Sequence, residues 1–186
     1  MEFKNFSEVQ EKQIEEILGN YKNFFSLIDL DVSLNNEDTS FKVFGKYNTK
    51  TRVLKLNPKV FTAKDFESNK NKMSMLQYVI FHEIAHNKWK QLTEEEKQGW
   101  YEISNWQLNP TIKEGFVNLA IPQGNKKVIS NWYYDQNAEG SFPRWYSRRN
   151  PKDDFADCWV FVKEGLDDRL EGNIGKQKIK FVKRYM

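Results

Sequence analysis

Both histidines of this chain, His82 and His86, lie in the segment FHEIAHNKWK, four residues apart, and Glu83 directly follows the first. Chance produces this pattern in roughly one arrangement in a thousand, so the segment reads as an HExxH motif. Side chains four apart on a helix project from one face, about one turn along the axis. Two imidazoles so placed can direct ring nitrogens at a single ion, an arrangement that suits tetrahedral zinc. A carboxylate beside that stripe reaches a zinc-bound water rather than the metal. It can take the water's proton as the water attacks a carbonyl, which makes Glu83 a general base. The blander reading is a helix with two partly exposed histidines and a solvated glutamate.

A catalytic zinc requires a third protein ligand and an open position for water. The histidines are used up, and Cys158, the single cysteine, lies in an apolar run. The third ligand is therefore expected to be Asp or Glu. The best stretch is RWYSRRNPKDDFADCWVFV, residues 144–162, where Asn150 and Pro151 stop what precedes and three carboxylates crowd the first turns of a helix. Asp153 and Asp157 share one helical face, while Phe155, Trp159 and Val162 occupy the face toward the core. Asp153 is the leading ligand and Glu102, on the helix after the motif, its rival. Acids near a helix start are also favoured by the macrodipole alone, with no ligand role.

The elements that must position these groups follow from periodicity. Residues 73–90 contain no Gly or Pro and read as a helix with Met75, Val79, His82 and His86 along one stripe. Thr93 with Glu96 is a capping box that opens a further helix toward Trp106, ended by Asn109 and Pro110. Ser7 with Gln10 opens an amphipathic helix over 8–25. LIDLDVSL alternates as a strand with one wet face. Strands near 41–47 and 52–56 form a hairpin through Asn48 to Thr51, with Pro58 ending the second. Residues 107–145 read as loop with one short strand near 126–134. A helix resumes over 153–163, and a basic segment, read as helical, spans 174–185. The order predicts an α+β class and a single domain over 1–186.

Composition narrows the classes. Of 186 residues, 39% are hydrophobic and 15% aromatic, enough to build a core rather than a disordered chain. Basic and acidic residues number 29 and 26, and the resulting +3 makes no case for nucleic acid. Lys176, Lys178, Lys180, Lys183 and Arg184 meet no acid in the tail from Gly172 onward and read as a solvated helix face. One cysteine excludes an intrachain disulfide and a cysteine-based zinc knuckle. The N-terminus lacks a signal-peptide core and no run approaches a membrane span, so the expectation is a cytoplasmic chain. Export without an N-terminal signal and packaging into a virion stay open. The Asn- and Lys-rich composition fits an AT-rich bacterial or phage genome. The oligomeric state is not legible.

HExxH, a later helix with a carboxylate and a second acid four residues on, and the DDFAD string together resemble gluzincin-type zinc metallopeptidases. The nearest likeness is the compact branch that includes the catalytic domain of anthrax lethal factor and small clostridial endopeptidases. The resemblance implies a zincin-like fold, a small mixed sheet packed on the HExxH helix with further C-terminal helices. It implies zinc held by His82, His86 and Asp153, with Glu83 as base and Asp157 as a supporting acid that fixes a ligand histidine's tautomer. Tyr146, seven residues before Asp153, matches a tyrosine that donates to the oxyanion; Tyr133 and Tyr134 are neighbouring alternatives. Both acids are Asp where the family has Glu, so Asp154 or Asp157 stays open as the ligand. The implied activity is endopeptidase cleavage of a peptide or protein, paired with a sheet edge such as the strand at 41–47. Two other readings stand beside it. One is a catalytically silent zinc protein with an interaction role, for which Trp100, Trp106, Trp132 and Trp145 are surface candidates. The other, peptide deformylase, takes a cysteine from upstream of its helix, whereas the one here lies downstream.

Overall fold

The computed structural model describes residues 3–4, 6–19, 31–34, 44–48, 53–68, 71–109, 114–123 and 126–186. The chain is α+β, with helices accompanied by several small sheets. It divides into two compact units, Met1–Phe66 with Met73–Glu83, and Glu67–Lys72 with Ile84–Met186. Among the described residues, no helix is long and apolar enough to cross a membrane.

In the first unit, β1 (Phe3–Lys4), β2 (Asp31–Leu34), β3 (Gly45–Asn48) and β4 (Val53–Leu56) form a mixed sheet in the order β1-β2-β4-β3. β1, β2 and β4 run parallel, and β3 returns antiparallel to β4 from Gly45↔Leu56 to Asn48↔Val53. The expected hairpin is therefore present, with its turn, residues 49–52, and the start of its first strand, 41–43, outside the described residues. Helix α1 (Glu8–Gly19) starts at the expected capping box, where Ser7 N donates to Gln10 Oε1 at 3.0 Å and Gln10 N to Ser7 Oγ at 3.4 Å. The rest of the helix expected to 25, and the strand residues 27–30, also lie outside the described residues. Pro58 ends β4 by opening a 3-10 turn, Pro58–Phe61, capped by the Asn57 side chain on Lys59 N at 3.0 Å.

Helix α2 (Met75–Gln91) carries the motif. Ser74 accepts from Gln77 N at 3.1 Å and caps its start. A methyl added at Gly45 would collide with Val79 Cγ1, so the missing side chain lets β3 approach the first half of α2. Residues 75–83 of α2 belong to the first unit and 84–91 to the second.

The second unit is built on α3 (Glu94–Ile103), α4 (Pro151–Lys163) and α5 (Gly172–Val182). The Thr93–Glu96 capping box forms in both directions, at 2.7 and 3.2 Å. The helix it opens stops at Ile103, short of Trp106. Asn105 turns left-handed at φ 51°, and Trp106 N donates back to Tyr101 O at 2.7 Å, a Schellman closure. Eleven residues of α4 are buried, which makes it the central helix of this unit. Trp100 packs edge-on against its Phe155 at 5.4 Å.

Two sequence expectations need correction here. The stretch after 107 is not mainly loop. Gln107–Leu108, Phe116–Val117 and Trp132–Asp135 form a three-stranded antiparallel sheet, and Ala120–Gln123 pairs with Lys126–Ile129. Trp100 and Trp106 are core residues, 0% and 5% exposed, and Trp132 is half-buried; of the four, Trp145 alone is exposed. Trp106 packs with Tyr134, Ala138 and Phe142, and its buried indole N–H is satisfied by donating to Asp154 Oδ2 at 3.1 Å.

Candidate metal centre

The helical spacing places His82 and His86 on successive turns of α2, as the motif requires. Asp153 comes from the first turn of α4, where Asn150 is the cap and Pro151 the first helical residue. Asn150 Oδ1 accepts from Asp153 N at 2.9 Å, and Asn150 Nδ2 donates to Asp153 Oδ2 at 2.8 Å. Arg149 Nε stands 3.8 Å from the same Oδ2. One carboxylate oxygen is thus held by the cap, and the other, Oδ1, lies 3.3 Å from His86 Nε2. Ligand atoms of His82, His86 and Asp153 all fall within 4.8 Å of one another, with His82 and Asp153 buried and His86 nearly so.

The donor set fits zinc. Two donors on one tetrahedral zinc, each bound at ~2.0–2.1 Å, stand about 3.3 Å apart, the separation between His86 Nε2 and Asp153 Oδ1. Two imidazole nitrogens and one carboxylate oxygen also leave a fourth position open. The same contact without metal is an ion pair when His86 is protonated.

A residue that sequence reasoning missed supports His82. The Tyr78 hydroxyl lies 3.0 Å from His82 Nδ1, and the Tyr78 ring packs on Phe66 at 4.8 Å. In the tautomer with Nδ1–H donating to that oxygen, Nε2 is the basic ring nitrogen. The i, i+4 spacing of Tyr78 and His82 was available in the sequence as a signal.

The expected supporting acid, Asp157, is fully buried. Ser147 Oγ donates to its Oδ2 at 2.7 Å, and Arg144 Nε lies 3.8 Å away. Both residues flank Tyr146, so Asp157 ties the turn Trp145–Arg149 to α4. Tyr146 accepts a hydrogen bond from Arg149 Nη1, and its own proton is left to donate elsewhere. Burial pushes the Tyr146 phenol up, the Asp153 charge pushes it further, and Arg149 opposes both. The phenol therefore keeps its proton at neutral pH.

The rival ligands are placed otherwise. Glu102 is exposed on α3 and accepts from Gln98 at 3.3 Å. Asp154 is buried in a pair with Lys178 at 2.9 Å, with Trp106 Nε1 on its other oxygen. Burial raises the Asp154 carboxyl, with Lys178 and Trp106 pulling against it. The Cys158 thiol, 3.4 Å from Asp154 Oδ1, is held well above its ordinary pKa, first by burial and then by the Asp154 charge, so it stays protonated. Lys178 corrects the expectation of a solvated basic face: its side chain is fully buried and its ammonium sits 3.6 Å from the Phe142 ring centroid. Lys176, Lys180, Lys183 and Arg184 are exposed.

Set against known proteins, the chain matches no family model, no curated protein and no solved structure.

Proposed function

We propose that the chain is a zinc-dependent endopeptidase of zincin-like type. The observation that carries this reading is the convergence of His82, His86 and Asp153 within 4.8 Å, beside a glutamate in HExxH register. A zinc ion held there supplies a Lewis acid toward a peptide carbonyl and lowers the pKa of water toward neutrality. Glu83, half-buried on the same helix, takes the proton of the attacking water and passes it to the departing amine. Tyr146, kept protonated by its surroundings, donates to the tetrahedral oxyanion. Tyr78 fixes the His82 tautomer, and Asn150 with Arg149 holds one oxygen of Asp153. β3, the last strand of the described four-stranded sheet, offers an edge on which an extended peptide can pair.

The test combines metal analysis with a peptide-library cleavage profile of the full chain and its Glu83→Gln variant. The expected result is near-stoichiometric zinc in both and turnover in the unmutated chain alone. Equal hydrolysis by Glu83→Gln would remove the assigned base. Zinc retention with no cleavage of any peptide would leave a silent zinc-binding protein.

A further inference from the structure

Next to the His86–Asp153 pair lies a cleft of about 430 Å³ that the proposed chemistry leaves unused. Its size falls in the range of small-ligand sites, roughly 300–1,000 Å³. One wall is aromatic. Trp89, three residues past His86 on α2, meets Tyr101 of α3 at 6.0 Å, and Tyr101 meets Trp132 at 5.3 Å. Tyr101 and Trp132 are only half-buried, and Leu108, 57% exposed, extends the apolar surface.

The facing wall is the turn that enters α4 and is cationic. Lys152 is exposed, and Arg149 keeps 43% of its side chain exposed while it touches Tyr146 and Asp153. Among the described residues, no Asp or Glu lines the cleft. A pocket with tilted aromatic rings on one side and two cations on the other, Lys152 and an Arg149 shared with Asp153, is complementary to an apolar side chain next to a carboxylate.

We propose that this cleft is a recognition subsite for a peptide segment carrying an aromatic or large aliphatic side chain beside an acidic residue. The side chain lies against Tyr101 and Trp132, and the carboxylate faces Arg149 and Lys152. The assignment of this peptide as a substrate rests on the endopeptidase reading; the binding preference does not.

Binding to the full Glu83→Gln chain in zinc-containing buffer tests it, because bound peptide is not consumed. Three labelled, end-blocked hexapeptides that differ only in a central Phe-Glu, Ala-Glu or Phe-Lys pair are compared by fluorescence anisotropy. The Phe-Glu peptide is expected to bind about tenfold more tightly than either of the others. Trp132→Ala should erase the Phe-over-Ala preference alone, and Lys152→Glu, at an exposed position, should erase or invert the Glu-over-Lys preference alone. Equal binding of the three peptides, no binding at millimolar concentration, or preferences that survive both substitutions would each overturn the subsite. Failure of the unmutated chain to hydrolyse a peptide it binds would instead count against the endopeptidase reading.

Discussion

On the proposed metal reading, a phenolic hydroxyl one turn ahead of the motif sets which nitrogen of His82 faces the ion. The Tyr78 oxygen lies 3.0 Å from His82 Nδ1, and the ring is held by Phe66, so the hydroxyl is delivered by packing rather than by a flexible side chain. Tyr78→Phe removes one oxygen and keeps that ring contact. Orienting partners of this kind are typically worth about 10–100-fold in metal affinity. A competition titration with a chromophoric zinc chelator should therefore show weaker zinc binding by that factor, with little change in circular dichroism. Unchanged affinity would show that the helix alone orients His82. The motif residues were legible because HExxH is a contiguous pattern with a fixed geometry. Tyr78 carried only its i, i+4 spacing to His82, a signal that gains meaning only beside a committed ligand. Asp153 was legible as a candidate, yet only the cap at Asn150 separates it from Asp154, whose side chain turns to Lys178.

At the scale of elements, locally coded features were readable. Both capping boxes, Ser7 with Gln10 and Thr93 with Glu96, close within four residues and need no tertiary partner. α5 shows the opposite case. Its three lysines, Lys176, Lys178 and Lys180, look alike in sequence, yet Lys178 turns inward because Asp154, 24 positions earlier, is buried and requires a counter-charge. Breaking a buried pair by removing one partner costs about 3–5 kcal/mol, since the remaining charge stays buried and uncompensated. Lys178→Met should therefore lower the denaturation free energy by about that amount. The double change Lys178→Met with Asp154→Asn should recover much of it, because no isolated charge remains. Urea denaturation of the three chains is the measurement, and a single variant as stable as the parent would mean the pair contributes nothing.

At the scale of the whole molecule, the α+β class was legible from the order of periodic segments, whereas the short strands between 107 and 135 were not. They are two to four residues long and pair across gaps that leave no alternation to read. The proposed metal ligands are likewise separated, His82 and His86 from Asp153, by more than sixty positions. An unfolded chain holds no such trio together, so zinc bound by all three binds the folded state preferentially and stabilises it by mass action. At free zinc about a hundredfold above Kd the linkage is worth about 2.7 kcal/mol. For a chain of this length each kcal/mol moves Tm by about 2–4 °C, so zinc should raise Tm by about 5–10 °C and a chelator should reverse the shift. Glu83→Gln should keep this response, since Glu83 is assigned to proton transfer, while Asp153→Asn should lose most of it. Scanning calorimetry of the three chains with and without zinc decides the matter. If the parent does not respond, or Asp153→Asn responds equally, the trio is an ion pair beside a histidine rather than a metal centre.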